Sequence, residues 1–267
     1  MSRAPRTLVF VHAHPDDEAL LTAGTMARAA AEGNRVVLVV ATDGSAGLTS
    51  QEYGGDLAAT RLAEVAASAT ALGVARTVCL GFPDSGLHGE VPGGFADAVT
   101  ADVAGRIAAL CDEEDADVLV GYDPSGGYGH PDHLQVHRSV RAAVPLCRRT
   151  PRLFEATLPR EPISRAVHVA AATRLTPAGF SPAEFDNAWT PSDRITHRVD
   201  VRGHLPAKRA ALRAHASQAA ADGTVRTLGV LTRLPSPLQA LLLGTEFYVL
   251  VPRSQASITS AAADALS

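Results

Sequence analysis

"TLVFVHAHPDDEALLTAG", residues 7–24, changes character twice within a few positions. It begins as an apolar run with the look of a buried strand, over 7–13. It then places His12, His14, Asp16, Asp17 and Glu18 within seven positions and passes into an Ala/Leu-rich stretch that reads as a helix over 18–33, closed by Gly33. Neighbouring carboxylates repel each other, and a buried charge is costly unless it is paired or bound to a metal. Ionisable residues crowded at the exit of a buried strand therefore ask for a partner from elsewhere in the chain.

Working outward, strand-like and helix-like runs alternate. "RVVLVVATDG" (35–44) is nearly continuous in Val and Leu, as expected of a strand covered on both faces by helices. "DLAATRLAEVAASATALG" (56–73) reads as a helix stopped by Gly73. "TVCLGF" (77–82) and "ADVLVGYD" (116–123) read as the third and fourth strands, with a helix over 95–114 between them, and "RLFEATLP" (152–159) as a fifth strand. This order predicts an α/β fold, a Rossmann-like, doubly wound and mostly parallel sheet, in which ligands sit at the carboxyl ends of the strands. Four polar loops then share one rim: the segment His14–Glu18, "TDGSAG", "PDSG" and "GGYGHPDH". Residues 160–203 look less regular, 204–220 helical, and 246–252 a late strand. The expectation is one domain over 1–267, with a core at 5–160, an irregular C-terminal extension at 161–253 and a frayed tail at 254–267.

Composition narrows the function classes. The chain has 267 residues, is 46% hydrophobic and carries a net charge of −4 with no long basic run, so nucleic acid is not an expected partner. There is no signal-peptide pattern and no apolar stretch long enough to span a bilayer, which predicts a soluble cytoplasmic protein without membrane contacts. Cys79, Cys111 and Cys147 are widely spaced and form no C-x-x-C pair; they read as small buried hydrophobes.

A catalytic zinc typically takes three protein ligands and leaves one position for water. His14 and Asp17 are three residues apart at a strand-to-helix turn, and "GHPDH" supplies His130 and His133, again three apart. One of that second pair can ligate while the other stands beside the metal. The groups left over suit hydrolysis. Zinc lowers the pKa of a bound water to about 7. Asp16 would take the proton as general base, a protonated His130 would stabilise an oxyanion or protonate the leaving amine, and Tyr128 in "GGYG" would reach the same oxyanion. The reaction is attack of water on an amide or ester carbonyl. A two-His, one-carboxylate set also occurs in non-haem iron oxygenases, but the βαβα pattern opposes the all-β double sheet those usually need. A non-catalytic sugar-binding module keeping a metal is opposed, more weakly, by the intact Asp16.

"AHPDDE" (13–18) together with "GGYGHPDH" (126–133) resembles the PIG-L (LmbE-like) family of zinc deacetylases, with "KRAALRAHASQ" (208–218) as weaker support. The family includes actinobacterial deacetylases of N-acetylglucosaminyl-inositol and amidases of mycothiol conjugates. The resemblance implies a Rossmann-like fold and zinc on His14, Asp17 and His133, with iron(II) also suited to the set. It implies Asp16 as base, His130 as electrostatic or acid partner, Tyr128 as a mobile assistant, and Arg61 and Asp84 as contacts to sugar hydroxyls. The implied activity is removal of an N-acetyl group from an N-acetylglucosamine-containing conjugate by attack of zinc-bound water. The alternative is cleavage of a larger acyl group from a glucosaminyl conjugate of the mycothiol type. The implied partner is a small-molecule amino-sugar conjugate, and a homo-oligomer stays open. One departure concerns substrate: many members carry an acidic residue in the loop after the second strand, where this chain has Ser45, with Asp43 shifted.

Plainer roles compete at other positions. His12 reads as packed or hydrogen-bonded on its strand, and Glu18 as a helix cap or a support to a ligand histidine. Asp132 reads as a support or a helix-start charge, His137 as exposed and solvated, Arg61 with Glu64 as an i,i+3 surface pair, and His215 with Gln218 as helix surface or as a segment closing the pocket.

Overall fold

The computed structural model describes residues 4–45, 56–173, 181–219 and 234–256. In chain order the main elements are β1 (Thr7–His12), α1 (Asp17–Leu21), α2 (Ala23–Ala31), β2 (Arg35–Thr42), α3 (Leu57–Leu72), β3 (Arg76–Phe82), α4 (Thr100–Glu113), β4 (Val118–Tyr122), α5 (Pro131–Ala143), β5 (Arg152–Thr157), α6 (Arg160–Ala172), β6 (His197–Asp200), α7 (Leu205–Ala214), α8 (Ser236–Leu243) and β7 (Thr245–Leu250). The sheet order is β3-β2-β1-β4-β5-β7-β6. Strands β3, β2, β1, β4 and β5 run parallel; β7 runs antiparallel to both β5 and β6.

The apolar runs explain the layering. On β1 and β2, Val9, Val11, Val37 and Val39 face one core, while Phe10, Val36, Leu38 and Val40 face the other. The first core packs Val103 and Ile107 of α4 and Val136 and Val140 of α5. The second packs Met26 of α2, Val65 and Leu72 of α3 and Leu212 of α7. Fully burying each such side chain contributes roughly 1.5–3 kcal/mol, and a strand buried on both faces has no polar alternation to show. The chain leaves β1 toward β2 and β3 on one side and returns to β4 and β5 on the other. The switch point thus falls between the carboxyl ends of β1 and β4, where open α/β sheets bind ligands.

Two helix boundaries differ from the sequence reading and one agrees with it. The helix expected over 18–33 breaks at Thr22 (φ −136°), whose hydroxyl lies 2.8 Å from His12 Nε2. Gly73 does close α3, in the left-handed conformation at φ 71°. The helix expected over 204–220 ends at Ala214, and after His215 a short turn, Ala216–Ala219, takes over.

Within the extension, the expected late strand is β7; the helix α6, with no buried residue, and the edge strand β6 lie in the stretch that looked less regular, and the two strands widen the sheet. A buried ion pair ties the extension down: Lys208 Nζ lies 2.6 Å from Glu246 Oε1, and Glu246 also accepts from the backbone N–H groups of Gly24 and Thr25 at the start of α2. A helical turn, Arg253–Ala256, reaches into the expected tail, of which 257–267 lie outside the described residues. Cys111 and Cys147 are buried, Cys79 partly so, and all three are free. Among the described residues no helix is long and apolar enough to cross a membrane.

Candidate metal centre and active site

The turn after β1 is unusual in its backbone. Asp16 stands at φ 144°, a value that L-residues rarely adopt, and such strain persists only where surrounding contacts over-determine it. The contacts are present. Asp16 N–H donates to Glu18 Oε2 at 3.1 Å, and Glu18 Oε1 in turn accepts from Ser68 Oγ and His215 Nε2, each at 2.6 Å. Glu18 therefore acts as a cap, held from α3 and from the end of α7, and its carboxylate oxygens bond Asp16 N–H, Ser68 and His215 rather than a candidate ligand histidine.

The candidate ligands converge beyond this turn. His14 Nε2 lies 3.1 Å from Asp132 Oδ2, which also accepts from Ser85 N–H. With the proton on Nε2, His14 Nδ1 keeps its lone pair, 3.3 Å from Asp17 Oδ2. Asp17 Oδ2 accepts from His14 N–H at 2.8 Å and from the Tyr122 hydroxyl at 2.7 Å. Asp17 Oδ1 lies 3.4 Å from His133 Nε2. His133 Nδ1 bonds the Gly126 carbonyl at 3.1 Å, which fixes the tautomer and leaves Nε2 buried with no hydrogen-bond partner. Ligands on a tetrahedral zinc with bonds of 2.0–2.2 Å stand about 3.3–3.6 Å apart. The Asp17 Oδ1–His133 Nε2 spacing matches that edge, His14 Nδ1 stands a similar distance from the other Asp17 oxygen, and the orphaned nitrogen is the kind of group a metal satisfies.

Two further sets of three donors lie within 4.8 Å of one another: His14, His130 and His133, and His14, Asp84 and Asp132. Asp17 belongs to neither set. Its place beside the histidines rests on the two contacts just given.

Electrostatics separate the two adjacent aspartates. Burial works against both charges. The facing His133 and His14 nevertheless hold Asp17 well below the usual carboxylate range, as a ligand requires. Burial pushes Asp16 up; Arg61 opposes this and the Asp17 charge adds to it. His14 is buried too, but Asp132, Asp17 and Asp84 hold it well above the ordinary histidine value in the absence of a metal. His130 goes the other way: burial, then His14 and His133, push it down to about 4. The expectation of a protonated His130 is thereby corrected. Its Nδ1 accepts from Asp132 N–H at 3.2 Å as the N-cap of α5, so the neutral ring carries its proton on Nε2 and is a donor without charge.

Arg61 is not the surface partner of Glu64. It is only 2% exposed and donates to the Gly44 and Pro15 carbonyls at 2.7 and 3.0 Å. It also pairs with Asp16 Oδ1 at 3.2 Å and stands 3.8 Å from Asp84 Oδ2. A Cβ on Gly44 would lie 2.5 Å from the guanidinium, so the loop after β2 serves the site through bare backbone. Of its divergent positions, Asp43 Oδ1 accepts from Ser45 N–H at 2.9 Å, and residues 46–55 lie outside the described residues. Asp84 is buried; despite that burial, His14 and the Gly86 N–H draw its pKa down to about 2.

Tyr128, 46% exposed, rides on a turn that only glycines can make: Gly126 and Gly127 stand at φ 58° and 69°. The turn is held from below and from the side. Asp123, fully buried, accepts from Ser125 and Gly127 N–H through Oδ1 and from Thr157 and Thr190 hydroxyls through Oδ2. Trp189 N–H donates to Gly127 O at 2.7 Å, and its ring covers the place a Cβ on Gly127 would take. Tyr122, Asp123 and Trp189 escaped the sequence reading. "YD" at the exit of β4 offered a signal by position alone; the lone tryptophan offered none. His137 is half-buried, contrary to expectation, with Nδ1 at 3.0 Å from Tyr122 O.

A parallel sheet with three buried histidines and several buried carboxylates at its switch point has the make-up of a metal-dependent hydrolase. Comparison with known proteins agrees. Residues 9–144 match the PIG-L family, described as GlcNAc-PI de-N-acetylase. The chain is 36% identical over 259 residues to the 1D-myo-inositol 2-acetamido-2-deoxy-alpha-D-glucopyranoside deacetylase of Saccharomonospora viridis, covering 91% of this chain and 94% of the relative. It is 39% identical over 249 residues to the deacetylase of the same name from Mycobacteroides abscessus, covering 86% and 88%. In fold it resembles N,N'-diacetylchitobiose deacetylase from Pyrococcus horikoshii, with a TM-score of 0.63, 20% identity, and coverage of 93% and 85%. The chain belongs to the PIG-L deacetylase family.

Proposed function

We propose that the protein is a metal-dependent hydrolase that removes the N-acetyl group from a small N-acetylglucosamine-containing conjugate. The observation that carries the reading is the orphaned His133 Nε2, buried and facing Asp17 Oδ1, with Asp16 one residue away in a strained and tightly held turn. The names of the relatives support the substrate class. His14, Asp17 and His133 would hold the metal, zinc in our reading, with iron(II) suited to the same donors. Such a metal, when bound, supplies Lewis acidity and a water of lowered pKa.

The chain's own groups do the rest. Asp16, raised by burial and by the Asp17 charge, accepts a proton from the attacking water and returns it to the amine as the C–N bond breaks. Arg61 orients the Asp16 carboxylate through the 3.2 Å contact. His130, neutral, donates from Nε2 to the oxyanion, joined by the Tyr128 hydroxyl. The buried Arg61 Nε, which has no partner, and the Asp84 carboxylate are the groups offered to sugar hydroxyls. The core and the extension act as one domain, as the β5–β7 pairing supports. We assign the activity to the cytoplasm.

The test is release of free amine from a panel of N-acylglucosaminides by wild type and Asp16→Asn side by side. Wild type turns over, and Asp16→Asn loses about 10²- to 10⁴-fold in kcat with metal content unchanged. Acetyl as the best acyl chain supports the deacetylase; preference for a bulky acyl group replaces it with the amidase. Full turnover by Asp16→Asn removes that residue as base.

A further inference from the structure

We propose that Tyr122 is a positioning residue of the metal centre: its hydroxyl sets which oxygen Asp17 presents, and its ring sets the plane of His133. The inference rests on the ligand assignment proposed above and concerns a residue outside both sequence motifs.

Tyr122 is the last residue of β4 and 1% exposed, at the switch point between β4 and β1. Its hydroxyl holds one proton. Ala13 N–H is a donor and points at the hydroxyl at 3.1 Å, so there the oxygen accepts. His12 Nδ1 is a third neighbour at 3.3 Å; the charged Asp17 Oδ2 stands closer, at 2.7 Å, and takes the single proton. That oxygen already accepts from His14 N–H at 2.8 Å, so two donors hold it and Oδ1 is left toward His133. The opposite face of the arrangement depends on the same side chain. The Tyr122 and His133 rings are stacked with centroids 4.2 Å apart and planes 4° apart. The Gly126 carbonyl fixes the His133 tautomer, and the Tyr122 ring fixes its tilt. One rigid side chain, anchored in the sheet, thus touches two of the three proposed ligands from different elements. Hydrogen bonds to metal-binding groups typically change metal affinity 10- to 100-fold when lost.

The experiment measures zinc affinity by chelator competition and the visible spectrum of the cobalt(II)-loaded full-length chain. It compares wild type, Tyr122→Phe and Tyr248→Phe. Tyr248 is a second buried tyrosine, bonded to Thr25 and Glu246 away from the ligands, and controls for general loosening of the fold. Tyr122→Phe keeps the ring and removes the hydroxyl. It is expected to bind zinc about 10- to 100-fold more weakly and to shift the cobalt bands, with Tyr248→Phe at wild-type values. Unchanged affinity and spectrum in Tyr122→Phe overturn the proposal, as does an equal loss in Tyr248→Phe. Wild type that binds neither metal overturns the ligand assignment itself. Should Tyr122→Phe not fold, 3-fluorotyrosine installed at position 122 keeps the shape and donates more strongly. A changed zinc affinity with shifted cobalt bands there supports the proposal, and wild-type affinity and spectrum overturn it.

Discussion

The loops after β1–β4 and the chain after β5 are both rich in buried polar groups, yet the two regions use them differently. The first gathers His14, Asp16, Asp17, Asp84, His130 and His133 at one rim, where His133 Nε2 and, beside them, Arg61 Nε and Asp132 Oδ1 are buried without a hydrogen-bond partner. In the second, the polar groups are largely spent on holding the fold: Glu246 on Lys208 and on the Gly24 and Thr25 N–H groups, His215 Nε2 on Glu18 although its Nδ1 has no partner, and the backbone of Trp189 on Gly127. The difference teaches that burial of charge alone does not mark chemistry. A charge whose partners are complete holds the fold; one left short of partners awaits a ligand.

Substitutions at the Lys208–Glu246 pair, away from the Asp16 turn, should therefore change stability while sparing the chemical step. The largest effect is expected from Lys208→Met, which leaves Glu246 buried without its cation and should cost about 3–5 kcal/mol in urea unfolding, with kcat of the folded protein unchanged. A tenfold fall in kcat with metal retained would break the division between the regions. His215→Leu should cost less, roughly 1.5–3 kcal/mol, the worth of a hydrogen bond to a charged group, and this difference depends on pH. Burial opposes the charge on both partners, but each prevails over it in the other: His215 is raised above 6.5 and Glu18 lowered below 4.5. The stabilisation by His215 is complete below 6.5 and disappears as pH rises through its raised folded value; that by Glu18 is complete above 4.5 and disappears as pH falls through its lowered one. Unfolding of metal-free wild type and variant should differ most between those two values. A difference that keeps growing above that window would remove the ion pair as its source.

The same contrast governs how much the sequence disclosed. β1 and β2 announce themselves because both faces are covered, so Val36 to Ala41 form an unbroken apolar run. The metal-site candidates are legible because each motif follows such a strand, and three-residue spacing puts two groups on one turn. β6, "HRVD", is an edge strand, partly or fully exposed along its length, and α6 has no fully buried residue, packing only a half-buried stripe that includes Ile163 against the core; neither gives a strong apolar pattern. Arg61 could be read as a surface pair with Glu64 because spacing within a helix says nothing of the carbonyls of Gly44 and Pro15 across the site. Tyr122 and Trp189 act through contacts with residues far along the chain, which no local pattern encodes.

Trp189 is the chain's single tryptophan, seated over the Gly127 turn with its ring centroid 6.3 Å from that of Tyr128. Its emission is therefore a native optical gauge at the mouth of the site. Displacement of that turn changes the environment of one fluorophore with no second tryptophan to dilute the signal, so arrival of a ligand can be followed in unlabelled protein on the timescale of a single mixing event.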